Sequence, residues 1–238
     1  MEIVQQINSD LEKLADSEKS VILARFFKTG KGQYGEGDKF LGITVPRQRI
    51  IAKKYFQQIT LPEVKELLQG SYHEQRLTAL LFLMYKFQKS SPAEKKEIYR
   101  FYLENTKQIN NWDLVDVTTP QIMGNYLLQY GSEEERKILF WLAKSNNIWE
   151  RRISVLATFM FIREKQFSDA LKIAELLLDD KHDLIHKAVG WMLREVGKKD
   201  LSVEERFLQK HYKNMPRTML RYAIEKFEEK KRKTYLAR

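Results

Sequence analysis

The 238-residue sequence predicts an all-α fold, on three observations. Apolar residues recur at helical spacing along most of the chain. Only five prolines and ten glycines interrupt them. No segment sustains the two-residue alternation of a half-buried strand, so no sheet is expected.

The spacing is clearest in three places. Leu77, Leu80, Leu81, Met84 and Phe87 mark one apolar stripe. Ile153, Leu156, Ala157 and Met160 mark a second, and Ile185, Val189, Met192 and Val196 a third. The breaks between helices are short. They fall near Thr60-Leu61-Pro62, Ser90-Ser91-Pro92, Gly131-Ser132, Gln166-Phe167-Ser168, Lys199-Asp200 and Met215-Pro216. Ser132 with Glu135 and Ser202 with Glu205 fit capping boxes, and Ser168 before Asp169 fits a helix cap. One long irregular segment remains, KTGKGQYGEGDKFLGITV at 28–45, which holds five of the ten glycines.

The helices repeat. HEQRLTALLF (73–82), WERRISVLAT (149–158), LIHKAVGWML (184–193) and TMLRYAIEKF (218–227) each place a basic residue just before the apolar stripe: Arg76, Arg152, Lys187 and Arg221. The last three are 35 and 34 residues apart. One further repeat fits between Arg76 and Arg152. It is NNWDLVDVTT (110–119), and its matching position holds a carboxylate, Asp116. Helix pairs at this period predict an α-α superhelix of the HEAT or armadillo kind, one repeat domain over 1–238. Equivalent positions of successive repeats would then line a basic concave face.

The net charge of +10 favours a polyanionic partner. A basic row suits a phosphate backbone, because lysines and arginines there release condensed counterions. Arg151 beside Arg152, and Lys28, Lys31 and Lys39 of the glycine-rich segment, join the row as candidate DNA contacts. There is no cysteine, which excludes disulfides, cysteine nucleophiles and cysteine-held zinc and fits a reducing compartment. The opening residues lack the apolar core of a secretory signal, and no apolar run reaches the ~18 residues of a membrane span. A monomer in the cytoplasm is expected. His73, His182, His186 and His211 form no metal-ligand pattern, and no cofactor or metal is expected. The glycine-rich segment lacks the Gly-Lys-Ser/Thr of a nucleotide loop.

Asp116 interrupts the row. It is either the cap of a helix running into Pro120, a role that Asp113 could also fill, or a working carboxylate. Trp112 lies four residues before it, on the same helix face. An indole beside a carboxylate attracts positive charge. Trp191 falls on the order of 130° from the centre of its helix's apolar stripe, beside Lys187, so it is expected to face a ligand. Trp141, in ILFWLA, is expected to pack in the core.

FFKTGKGQYGEGDKFLGI, NNWDLVD, WERR and GWMLRE together resemble the AlkD family of DNA-alkylation-repair glycosylases, over essentially the whole chain. The resemblance implies a HEAT-like solenoid that binds double-stranded DNA containing alkylated bases. It implies release of 3-methyladenine and 7-methylguanine by hydrolysis of the N-glycosidic bond, without flipping the base. Trp112, Asp116 and Trp191 match the family's active-site trio, and Arg152 matches its phosphate-contacting arginine. Phe26 stands where some relatives have tyrosine. Two alternatives stay open: a non-catalytic helical-repeat protein that binds damaged or branched DNA, and a scaffold for an acidic protein partner.

Overall fold

The computed structural model describes residues 2–237. No strand occurs among them, and the only β-type pairing is an isolated bridge between Lys39 and Tyr72. The chain divides into two compact units, 1–114 and 115–238.

The first unit holds α1 (Glu2–Glu12), α2 (Ser17–Phe26), α3 (Val45–Tyr55), α4 (Leu61–Leu68), α5 (His73–Lys89) and α6 (Pro92–Glu104). Its centre is α5. This helix is apolar nearly all round, with Leu77, Ala79, Leu80, Leu81, Phe82 and Leu83 buried. A helix of that kind must be covered on all sides, and α1, α3, α4 and α6 pack against it.

The next helix, α7 (Trp112–Thr119), starts in the first unit and runs on into the second. Proline lacks the N–H an α-helix needs and would break it. Pro120 instead opens a π turn, residues 120–124, which leads into α8 (Asn125–Gln129). Asp116 therefore lies inside a helix and is not its cap. The helix begins at Asn111, whose Oδ1 accepts from the Trp112 N–H at 2.8 Å.

The second unit continues with α9 (Glu133–Ala143), α10 (Ile148–Arg163), α11 (Ser168–Leu176), α12 (Asp183–Lys199), α13 (Leu201–His211), α14 (Arg217–Ala223) and α15 (Glu229–Leu236). They run as pairs joined by short turns, as the repeat requires. The inner helix of each pair stacks on the next, α10 on α12 and α12 on α14. Arg152, Lys187 and Arg221 each lie on one of these inner helices. At Gly190 the α14 backbone comes so close that a Cβ would collide with the Met219 carbonyl.

Three local expectations need correction. The Ser132–Glu135 capping box forms, but Ser202 and Glu205 do not make one. Asp200 starts that helix two residues earlier, and its side chain accepts from the Ser202 and Val203 N–H groups. Ser168 is the first residue of α11 rather than its cap, which is Phe167. Trp141 is not core: it is 74% exposed. The buried stripe of α9 is Leu139, Leu142 and Ala143, and the run ILFWLA is wider than the one face this helix buries.

Glu204 is 2% exposed, and its Oε1 has no hydrogen-bond partner among the described residues. Its carboxylate lies against Gly197, in space that a Cβ at position 197 would take. Burial, aided by the neighbouring Glu205, pushes its pKa up to about 8 against the pull of Arg194 and Lys231. The native state thus holds a proton that the unfolded chain releases near 4.5. That contribution to stability is full below 4.5 and is lost as pH rises through 8. Glu204→Gln is expected to raise stability at pH 8 by about 1–3 kcal/mol, read by urea denaturation. An unchanged midpoint at pH 8 would refute the assignment.

Candidate functional site

Trp112 sits at the end of an aromatic stack in the first unit. Its ring stacks on Phe27, centroids 5.2 Å apart at 20°, and meets Phe26 edge-on at 5.8 Å. Phe27 is buried, whereas Phe26 is 61% exposed. Behind Phe27 lie Phe40 at 5.1 Å and the imidazole of His73 at 4.9 Å.

His73 is the hub of a buried charged cluster. Its Nε2 bonds Asp113 at 2.8 Å and its Nδ1 bonds Asp38 at 3.3 Å. Burial opposes a charge on the ring, but the two carboxylates outweigh it and push the imidazole up to about 9. Burial likewise opposes ionisation of Asp38, yet His73, Arg76 and Asn111 hold it below the usual carboxylate range. Arg76 is ion-paired to Asp38, and Asn111 Nδ2 donates to it at 3.1 Å. Two cations and two anions balance, so the cluster adds no net charge behind Trp112.

The same contacts fasten the glycine-rich segment. Asp38 ties it to α5 and to the start of α7. Glu74 accepts from the Leu41, Gly42 and Ile43 N–H groups at 2.9, 2.9 and 3.1 Å. Gly42 has φ +85° and lies against the Asp16 carbonyl, so only glycine fits there. Lys28, Lys31 and Lys39 are left exposed on this anchored loop.

In the second unit Asp116 is half-buried and engaged by Arg152 in a two-pronged ion pair. Arg152 Nε donates to Oδ1 at 2.8 Å and a terminal nitrogen donates to Oδ2 at 2.7 Å. The other terminal nitrogen donates to the Leu184 carbonyl at 2.5 Å. Arg152 is 5% exposed, so its guanidinium is committed to the protein. Arg151 is committed too, through Nε to Asp180 at 2.7 Å and through a terminal nitrogen to the Ser145 carbonyl at 2.9 Å. Lys187 is half-exposed and pairs with Asp183 at 2.6 Å.

Trp191 lies two turns after Leu184 on α12, on the same side of that helix. It is half-buried, off the core stripe of Ile185, Val189, Met192 and Val196. Its indole N–H donates to Glu195 at 3.1 Å, and its ring meets Phe159 at 6.2 Å. Trp149, for which the sequence gives no role, is core.

The structure thus gathers Asp116 and Arg152 and sets Trp191 on the helix that Arg152 reaches. It buries Arg76 and Arg152 within ion pairs, whereas Lys28, Lys31 and Lys39 stay exposed. Sequence reasoning missed the His73 cluster, since its members are spread over residues 38–113. The Asp116–Arg152 pair did have a signal: equivalent positions of adjacent repeats are neighbours, and the two are 36 residues apart in register. No group of three or more histidine, aspartate or glutamate residues able to hold a metal occurs among the described residues. Among the described residues no helix is long and apolar enough to cross a membrane.

Similar folds occur in solved structures. One is titled a predicted DNA alkylation repair enzyme from Enterococcus faecalis. It is 16% identical, with a TM-score of 0.71 over 90% of this chain and 97% of the other. Another is AlkD2 from Streptococcus mutans, 17% identical, with a TM-score of 0.58 over 90% of this chain and 99% of the other. No curated protein matches the chain. The family described as DNA alkylation repair enzyme matches residues 7–227, across both units, and the chain belongs to that family.

Proposed function

We propose that the chain is a monomeric, cytoplasmic DNA glycosylase that removes cationic N-alkylated purines, 3-methyladenine and 7-methylguanine, from double-stranded DNA. The observation that carries this reading is the Asp116–Arg152 pair: a half-buried carboxylate held by two hydrogen bonds in a fixed orientation. Besides neutralising the buried Arg152, a carboxylate so held is placed to answer a positive charge that develops beside it.

Alkylation on a ring nitrogen makes the purine cationic. When the bond from C1′ to the base breaks, its electrons pass to the purine and neutralise it. The base leaves without a proton from a general acid, and no cofactor is required. Positive charge builds on the deoxyribose, where Asp116 stabilises it and orients the attacking water. Water oxygen bonds to C1′ and its proton passes to solvent by way of the carboxylate. The products are a neutral base, an abasic sugar and one proton. Trp112 and Trp191 pack against the sugar and backbone and add a π face to the cation. The stack on Phe27 supports a fixed Trp112. A base kept in the duplex removes the need for a deep pocket of the kind base-flipping enzymes use.

Arg152 serves here by holding Asp116, and Arg76 and Arg151 by holding the loop and the α10 start. The phosphate contacts fall to Lys28, Lys31, Lys39 and Lys187, which fix register without reading sequence. The test is incubation of the protein with methylated duplex DNA and chromatography of the freed bases. Free 7-methylguanine and 3-methyladenine are expected. Bound duplex with no free base would instead establish the second reading, a non-catalytic DNA-binding protein.

A further inference from the structure

The far end of the second unit holds a cavity of about 500 Å3 lined in part by Lys187, Arg221 and Arg232, with Asp183 and Glu225 on its wall. Both carboxylates are already engaged. Asp183 pairs with Lys187 and takes a hydrogen bond from Thr218. Glu225 pairs with Arg194 and lies 3.3 Å from Lys226. The guanidiniums of Arg221 and Arg232 have no ion-pair partner among the described residues, and the lining's three cations against two carboxylates leave a surplus of one positive charge on the cavity.

Arg232 adds an independent sign. Its Nε is buried without a hydrogen-bond partner among the described residues. A buried donor left unmet costs about 1–3 kcal/mol, and an anion seated on the same guanidinium would offset part of that cost. The residue comes from α15, which lies beyond residues 7–227 matched by the family. The placement of α15 is secured from its other side. Lys231 is ion-paired to Glu205, Arg217 donates to the Leu236 carbonyl at 2.9 Å, and Tyr235 meets Tyr212 at 5.3 Å. Those contacts hold Arg232 over the cavity.

We infer that this cavity seats a phosphate oxyanion of the DNA backbone, gripped by Arg232 and Arg221, so that the terminal helix extends the DNA-binding surface past the alkylation site. Guanidinium forks match the geometry of phosphate oxygens. The inference rests on the proposed DNA-binding function.

The experiment is fluorescence anisotropy of a labelled, unmodified duplex over a salt series, with wild type, Arg232→Ala, Arg232→Lys and Arg221→Ala. Circular dichroism and thermal unfolding confirm that each variant is folded. Each alanine variant is expected to weaken binding at least about threefold and to lower the salt slope by about one. Arg232→Lys should keep the slope and lose part of the affinity. Folded alanine variants with wild-type affinity and slope would overturn the inference while leaving DNA binding intact. If Arg232→Ala fails to fold, Arg221→Ala, changed at an exposed residue, decides the matter alone. A wild type that binds no duplex at any salt would overturn the functional reading. A phosphate-dependent rise in wild-type Tm, absent in Arg232→Ala, would then show a site for free phosphate and reject the DNA backbone as its source.

Discussion

Asp116→Asn is expected to lower single-turnover release of 7-methylguanine at least about tenfold, equivalent to at least about 1.4 kcal/mol of transition-state stabilisation. Duplex affinity should stay within about twofold, because Asp116 contributes no attraction for phosphate. Asparagine keeps the shape of aspartate and one acceptor for Arg152, but its amide NH2 then faces the other Arg152 donor, so the charge and one of the two hydrogen bonds are lost together. The change has a structural cost as well. Arg152, at 5% exposure, loses its anionic partner, and unpairing a buried ion costs about 3–5 kcal/mol in other proteins. The assay therefore runs well below the Tm of the variant. Wild-type release by a folded Asp116→Asn protein would remove Asp116 from the mechanism.

His73→Ala is expected to produce the largest loss of stability, about 3–5 kcal/mol. It leaves Asp113 and Asp38 facing each other with only Arg76 to offset them, and it opens a gap beside the stacked rings of Phe27 and Phe40. The pH dependence identifies the cause. The native imidazole is raised from 6.5 to about 9. Its contribution is fully present below 6.5 and is lost as pH rises through 9. Wild type should lose stability across that window, and His73→Gln should show a shallower decline. Urea denaturation from pH 6 to 9, in a Glu204→Gln background to remove the overlapping titration of that carboxyl, separates the two. Parallel curves for the two proteins would show that His73 is not a charged bridge. Release of alkylated purine should fall in His73→Gln as well, since Trp112 rests on Phe27 and Asn111 on Asp38.

The helices and their period are legible in the sequence because both depend on local spacing. The break positions hold for the same reason: proline, serine and aspartate act on the backbone within a few residues. Trp141 defeats that reading because an unbroken apolar run hides which face is covered. The orientation of Trp191 is readable because its helix has a clean stripe to measure against. The row of cations is readable as a register, but the use each cation is put to is not. Arg76 and Arg152 look like Lys187 in sequence, yet the fold buries the first two against Asp38 and Asp116 and leaves Lys187 half-exposed. The His73 cluster is invisible in the sequence, because Asp38, His73 and Asp113 meet only when the loop folds back on α5 and α7.

The proposed mechanism rests on charge: a cationic base leaves unaided while Asp116 answers the charge that forms on the sugar. Release rates from duplexes carrying 7-methylguanine and from matched duplexes carrying uracil, a neutral base, test it when followed in single turnover from pH 6 to 8. The mechanism predicts release of 7-methylguanine at a rate nearly flat in pH, and no release of uracil above background. Comparable release of uracil, or a rate that falls as a protonated group is lost, would show a general acid at work and contradict it.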